Sequence, residues 1–171
     1  MVMWLIGLSG AGKSTLASAV VAGLRKKKHP VVLLDGDELR QLWGNDLGYS
    51  LEDRKKNADR ICRLGQFLEL QGIDVVCAIL SLFPESRQWN RSNLRDYFEV
   101  FIDAPMAQLV QRDSKGLYSR ALSGEIKEVA GVDLEFPIPE APDLVIENDK
   151  GITKLLDYAS QLCDAFKKQP S

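Results

Sequence analysis

Histidine is almost missing from this chain, with one residue, His29, in 171, and cysteine is scarce, with three. His29 stands in KKKHP beside a proline and reads as a loop residue, so any proton chemistry has to run on other groups. Cys62, Cys77 and Cys163 are too widely and unevenly spaced for a disulfide framework or a zinc knuckle and read as buried thiols. No long apolar run occurs. The opening MVMWLI stops at a glycine, far short of the roughly 20 residues that span a bilayer and without the charged start of a signal peptide. A basic excess is lacking too: 22 Lys and Arg face 24 Asp and Glu, for a net charge of −2. That balance argues against a nucleic-acid partner. What remains is a soluble, cytoplasmic chain with no membrane contact, long enough for one well-cored domain over 1–171.

Short apolar runs alternate with longer segments of helical period, the pattern of an α/β fold around a parallel sheet. Five strands are expected at 1–6, 31–34, 73–80, 98–102 and 144–146. Helices are expected to start near Lys13, Ser50, Pro84 and Pro105, with a last one from about 153 to 166. The rhythm breaks between about 113 and 142, where glycines recur at 116, 124 and 131 and prolines at 137, 139 and 142. A stretch of that length inside a compact domain points to a mobile lid.

Directly after the first strand comes GLSGAGKST. It fits G-x-x-x-x-G-K-[ST], with an apolar strand before it and a helical segment after it, the context in which this motif is a P-loop. The expected ATP site is Gly7, Leu8, Ser9, Gly10, Ala11, Gly12, Lys13, Ser14 and Thr15. Its glycines let successive N–H groups converge on phosphate, Lys13 reaches the β- and γ-phosphates, and Ser14 offers a hydroxyl to Mg²⁺. Guanine recognition by Asn-Lys-x-Asp is absent, since the chain has only ENDK at 147–150, which disfavours a guanine-nucleotide switch.

Ligands of open parallel sheets bind beyond the carboxyl ends of the strands. Asp35 and Asp37 follow the second strand in DGDELR, Ser81 follows the third and Asp103 the fourth. On the helix from Ser50, Arg54 and Asn57 share a face with Ile61, Leu64 and Leu68, so polar groups interrupt a buried stripe at its cleft end. An arginine placed there calls for an anionic partner.

GLSGAGKST, LDGDELR, NDLGYSLEDRKKN, EVFIDAP and QRDSKGLYSRALSGEIK, in this order and spacing, resemble the adenylylsulfate kinase family from Trp4 to Asn148. The resemblance implies a P-loop NTPase fold with a five-stranded parallel sheet, flanking helices and a lid segment. It also implies transfer of the ATP γ-phosphoryl group to a nucleotide's ribose 3′-hydroxyl, and a homodimer. Through it Asp37 is expected to receive the hydroxyl proton, with Asp35 beside Mg²⁺. Arg40, Arg54 and Asn57 would grip the acceptor's anionic tail. Lys115, with Gly116 and Leu117, would close over the acceptor, and Arg112 would face ATP. Ser81 and Leu82 would line the acceptor side.

This chain departs from the family at two places that matter for the acceptor. Ser81-Leu82-Phe83-Pro84 replaces Ser-Pro-aromatic-Arg, so that the next arginine is Arg87. Val129 stands where the family has an aromatic after GEIK, leaving Tyr49 as the one matching ring around the acceptor base. Base-on-aromatic stacking is worth about 1–3 kcal/mol, or roughly 5- to 150-fold in affinity. The resemblance implies adenylyl sulfate as the acceptor, while the missing ring makes a cytidine diphosphate conjugate such as cytidine diphosphoramidate the alternative. A nucleotide-binding module without catalysis is a reading of another class, against which the intact Lys13, Ser14, Asp35 and Asp37 argue.

Overall fold

The computed structural model describes residues 1–113 and 115–166; Ser114 of the expected lid and the last five residues of the expected domain lie outside the described residues. Five parallel strands, β1 (Val2–Ile6), β2 (Val31–Asp35), β3 (Asp74–Ile79), β4 (Tyr97–Asp103) and β5 (Leu144–Glu147), form one sheet. Their order is β2-β3-β1-β4-β5. The chain thus steps outward on both sides of β1, and the crevice above β1 and β3 is a topological switch point, where open sheets take their ligands.

Helices cover both faces: α1 (Lys13–Lys26), α2 (Gly36–Leu42), α3 (Leu51–Leu70), α4 (Pro84–Asn93), α5 (Met106–Gln111), α6 (Leu117–Leu122) and α7 (Ile152–Ala165). Strand alternation divides the core. Met1, Met3 and Leu5 join Leu16, Val20 and Leu24 of α1 and Leu155 and Leu162 of α7 on one face. Val2, Trp4 and Ile6 join Ile61 and Cys62 of α3 on the other. A strand with both faces covered has no polar alternation to show, and all five β1 residues are buried. All three cysteines are free and buried.

Two helices had no counterpart in the sequence reading. Helix α2 starts because the Asp35 side chain accepts from the N–H groups of Asp37 and Glu38, at 2.9 and 3.5 Å, which makes DGDE an N-cap. Helix α6 lies within the segment expected as a lid. Asp113 accepts from the N–H groups of Leu117, Tyr118 and Ser119 at 2.7, 2.8 and 2.9 Å. Those bonds hold its carboxyl below the usual range against the opposing effect of desolvation. Tyr118, Val129 and Ala130 of the same segment are buried in the core. Among the described residues no helix is long and apolar enough to cross a membrane.

Candidate active site

The loop between β1 and α1 is bent at glycines with left-handed backbone. Gly12 has φ +97°, and a Cβ there would sit 2.4 Å from Leu155 Cδ2. Because α1 begins at Lys13, the N–H groups of its first turn have no carbonyl of their own helix to bond and present their positive end at the loop. Lys13 folds back so that Nζ donates to the Leu8 carbonyl at 2.8 Å. Burial lowers its pKa to about 8, against the attraction of Asp35 and Asp37 and with a smaller push from Lys115.

Strand β2 delivers Asp35 to the same place. One carboxylate oxygen accepts the Asp37 N–H, and the other accepts the Ser14 hydroxyl at 2.5 Å. The carboxylate that starts α2 thereby also fixes Ser14. Asp37 projects from the first turn of α2 and accepts from Lys115 Nζ at 2.7 Å. That bond holds the ammonium above its ordinary pKa.

Beyond Asp37 lie two arginines. Arg40, one turn further along α2, donates to the carbonyls of Leu47 and Gly48 at 3.2 and 3.0 Å. Arg54 in the first turn of α3 donates to the carbonyls of Tyr49 and Glu128 at 2.7 and 3.0 Å. Both guanidinium groups lie against the Tyr49 ring, 4.7 and 5.5 Å from its centroid. Partial burial and the charge of Arg40 lower the pKa of Arg54. Two cations held close together by neutral carbonyls, with no ion pair to either among the described residues, make a site for an anion.

A cleft of about 750 Å³ joins these groups. Its wall includes Ser9, Gly10, Gly12, Lys13, Ser14 and Thr15 from the loop, Asp35 and Asp37 from the β2–α2 junction, and Arg40, Tyr49 and Arg54 beyond. Arg112, Lys115 and Leu117 close its other side. The Arg112 guanidinium donates to the Gln108 side chain, whose amide donates to the Asp149 carbonyl. Gly7, Leu8 and Ala11 form the back of the loop, with Ala11 fully buried.

Five further expected site residues stand outside that wall. Asn57, Ser81 and Leu82 are buried, and Leu80 lines the cleft in place of the two residues after it. Gly116 serves as the left-handed cap of α6, with φ +65°. Val129 is 4% exposed and packs with the core. Arg87 is buried as well, donating to the carbonyls of Ser81 and Pro137 at 2.9 and 3.3 Å. The arginine after the third strand thus braces the protein and does not face the acceptor side.

Tyr118 and Asn148 also line the cleft, and the sequence reading assigned neither a role. Tyr118 lay in plain view in Lys-Gly-Leu-Tyr, where the neighbouring cation drew attention instead. Asn148 follows the last strand, and the rule placing ligands beyond strand ends would have found it.

A family model described as adenylylsulphate kinase matches residues 1–147. A cytidine diphosphoramidate kinase of Campylobacter jejuni is 43% identical over 147 residues, 86% of this chain and 85% of the relative. An adenylyl-sulfate kinase of Deinococcus deserti is 42% identical over 162 residues, 92% of this chain and 90% of the relative. Among solved structures, the APS kinase of Mycobacterium tuberculosis in complex with AMPPNP and APS is similar with a TM-score of 0.88 at 34% identity. That similarity covers 98% of this chain and 97% of the other.

Proposed function

This chain belongs to the adenylylsulphate kinase family, and on that premise we propose that it transfers the γ-phosphoryl group of ATP to the ribose 3′-hydroxyl of adenylyl sulfate. It is a nucleotide kinase; the acceptor and the roles of individual residues are the proposal. One observation carries it: Lys13, Asp37, Arg40 and Arg54 line a single cleft beyond the carboxyl ends of the strands. Phosphoryl transfer requires mainly that donor and acceptor be held in line and that charge be neutralised.

The loop and Lys13 hold the triphosphate, and Arg112 faces the donor nucleotide. Arg40 and Arg54 hold the acceptor's anionic tail with the guanidinium N–H groups that their carbonyl partners leave over. As the 3′-oxygen bonds to the γ-phosphorus, the bond from that phosphorus to the bridging oxygen of ADP breaks, and the hydroxyl proton passes to the Asp37 carboxylate. Lys115 stands on that carboxylate at 2.7 Å, close enough to the reacting oxygens to serve as a further cation once substrate occupies the cleft.

Mg²⁺ suits the donor set. Ser14 and Asp35 supply hard oxygens, and among the described residues no group of three or more His, Cys, Asp or Glu forms a dedicated cage. An ion that binds through one or two protein oxygens, substrate phosphates and water has this requirement. When bound, Mg²⁺ neutralises charge on the β- and γ-phosphates. The same reading places the enzyme in the cytoplasm as a homodimer.

A second acceptor is favoured by a specific observation. With Val129 in the core and both arginines against Tyr49, the acceptor side offers an adenine little aromatic surface, and a cytidine diphosphate conjugate demands less. Purified protein supplied with Mg²⁺ and ATP, and followed for ADP release with adenylyl sulfate and with cytidine diphosphoramidate, separates the two. Turnover with adenylyl sulfate is the expected outcome; turnover with the cytidine compound alone replaces it by the second reading.

A further inference from the structure

Three carbonyls of the phosphate loop are each taken by a side chain. Lys13 Nζ donates to Leu8, the Tyr118 hydroxyl donates to Ser9 at 2.8 Å, and Asn148 Nδ2 donates to Ala11 at 2.9 Å. The last two donors come from 109 and 137 residues away along the chain. Both are buried, Tyr118 to 1% and Asn148 to 2% exposure.

Each donor is itself anchored. Tyr118 sits in the first turn of α6, fixed by the three N–H bonds to Asp113. Asn148 follows β5, and its own N–H donates to the Asp103 carbonyl at 2.7 Å. Its amide orientation is set by the Ala11 carbonyl, which only the NH₂ end can meet; the Oδ1 end has no partner among the described residues.

In a trans peptide, the carbonyl of one residue and the N–H of the next point in opposite directions. Holding the Ser9 carbonyl on Tyr118 therefore fixes the Gly10 N–H on the opposite side of that peptide, and holding the Ala11 carbonyl on Asn148 does the same for the Gly12 N–H. Both glycines have positive φ, +78° and +97°, and glycine peptides turn over readily because no Cβ opposes it. A loop meant to receive phosphate on converging N–H groups needs something to stop those peptides from turning.

We propose that Tyr118 and Asn148 are positioning residues that hold the phosphate loop in its anion-binding shape, so that the segment after α5 and the end of β5 set the enzyme's affinity for the donor nucleotide. The proposal rests on reading this loop as the ATP cradle. Without a tether the loop spends only part of its time in the receptive shape, and the apparent dissociation constant rises in inverse proportion to that fraction. Lost hydrogen bonds of this kind predict a weakening of ATP binding by roughly 2- to 12-fold for each tether.

The test is calorimetric titration of Mg·ATP into the wild-type chain and the Tyr118→Phe, Asn148→Leu and Tyr97→Phe variants, with ligand-free melting and acceptor KM measured alongside. Tyr97 donates to Glu99 at 2.8 Å on a remote part of β4, so its variant loses a comparable tyrosine bond away from the loop. Weaker ATP binding in Tyr118→Phe and Asn148→Leu, with acceptor KM unchanged and Tyr97→Phe like wild type, is the expected result. ATP binding within twofold of wild type in both tether variants overturns the proposal, and so does an equal loss in Tyr97→Phe. Wild-type protein that binds ATP but turns over neither acceptor defeats the proposed reaction alone, because the tethers are scored on binding.

Discussion

At the scale of single residues, the site is held by side chains that each serve more than one partner. Asp35 is the clearest case: one oxygen starts a helix and the other holds the Ser14 hydroxyl. Among the described residues the Asp37 carboxylate accepts from Lys115 Nζ, and the proposed reaction gives it the hydroxyl proton. Replacing Asp37 by Ala is expected to lower turnover by about 10²- to 10⁴-fold, the usual range for a general base, while Mg·ATP binding measured by calorimetry stays near wild type. Near-normal turnover would remove Asp37 from that role. Among residues that take no part in the chemistry, burial drives the Cys62 thiol up from 9.0 to about 12, assisted by the nearby charge of Asp59. The folded chain keeps that proton while the unfolded chain loses it above pH 9, so stability falls as pH rises from 9 toward 12. The slope is about 1.4 kcal/mol per pH unit for this one thiol. Urea midpoints at pH 9 and 10.5 should therefore drop less in Cys62→Ala than in wild type.

At the scale of elements, packing decides more than propensity. Helix α3 buries Asn57, Ile61, Cys62 and Gly65 along one stripe, and the glycine is not required by space. A Cβ at Gly65 would lie 3.6 Å from Val2 Cγ1 and 4.0 Å from Trp4 Cζ3, ordinary contact distances. Gly65→Ala is expected to stabilise the protein by about 0.5–1 kcal/mol through helix propensity, read as a melting temperature higher by roughly 1–4 °C. The contrasting glycine is Gly12, where left-handed backbone and Leu155 both exclude a side chain. Strands were legible as short apolar runs, and the long helices because their period runs on for enough residues to be read: β1 to β5 lie within a residue or two of their expected bounds. Helices α2 and α6 were not, since six or seven residues carry too little periodicity. The Asp35 cap of α2 was nonetheless written in DGDE. The three bonds to Asp113 that start α6 had no local signature beyond a short polar turn.

At the scale of the whole molecule, the sheet order puts the loop of β1, the acid-bearing end of β2 and the end of β3 side by side, and the segments after β4 and β5 come over the same rim. A ligand spanning that rim ties together elements far apart in sequence. Saturating Mg·ATP at a hundred times its dissociation constant adds about 2.7 kcal/mol to the folded state, so the melting temperature should rise by roughly 5–10 °C. Thermal scans with and without nucleotide check this, and an unchanged midpoint would contradict a donor site in the cleft. Family membership follows from the match over residues 1–147 and from relatives near 40% identity. The acceptor does not follow in the same way, because adenylyl-sulfate and cytidine diphosphoramidate kinases are both among those relatives.

The amino-acid order alone determined the phosphate loop, the parallel α/β architecture and the placing of acids and arginines near the strand ends. Each depends on residues close together in the chain, where spacing is geometry. Only the tertiary structure decided that Val129 and Arg87 turn into the protein, that Arg40 and Arg54 share the Tyr49 ring, and that Tyr118 and Asn148 hold the carbonyls of Ser9 and Ala11. Those outcomes depend on which groups the folded chain brings together, in the last case across 109 and 137 residues of sequence, a competition that local periodicity does not record.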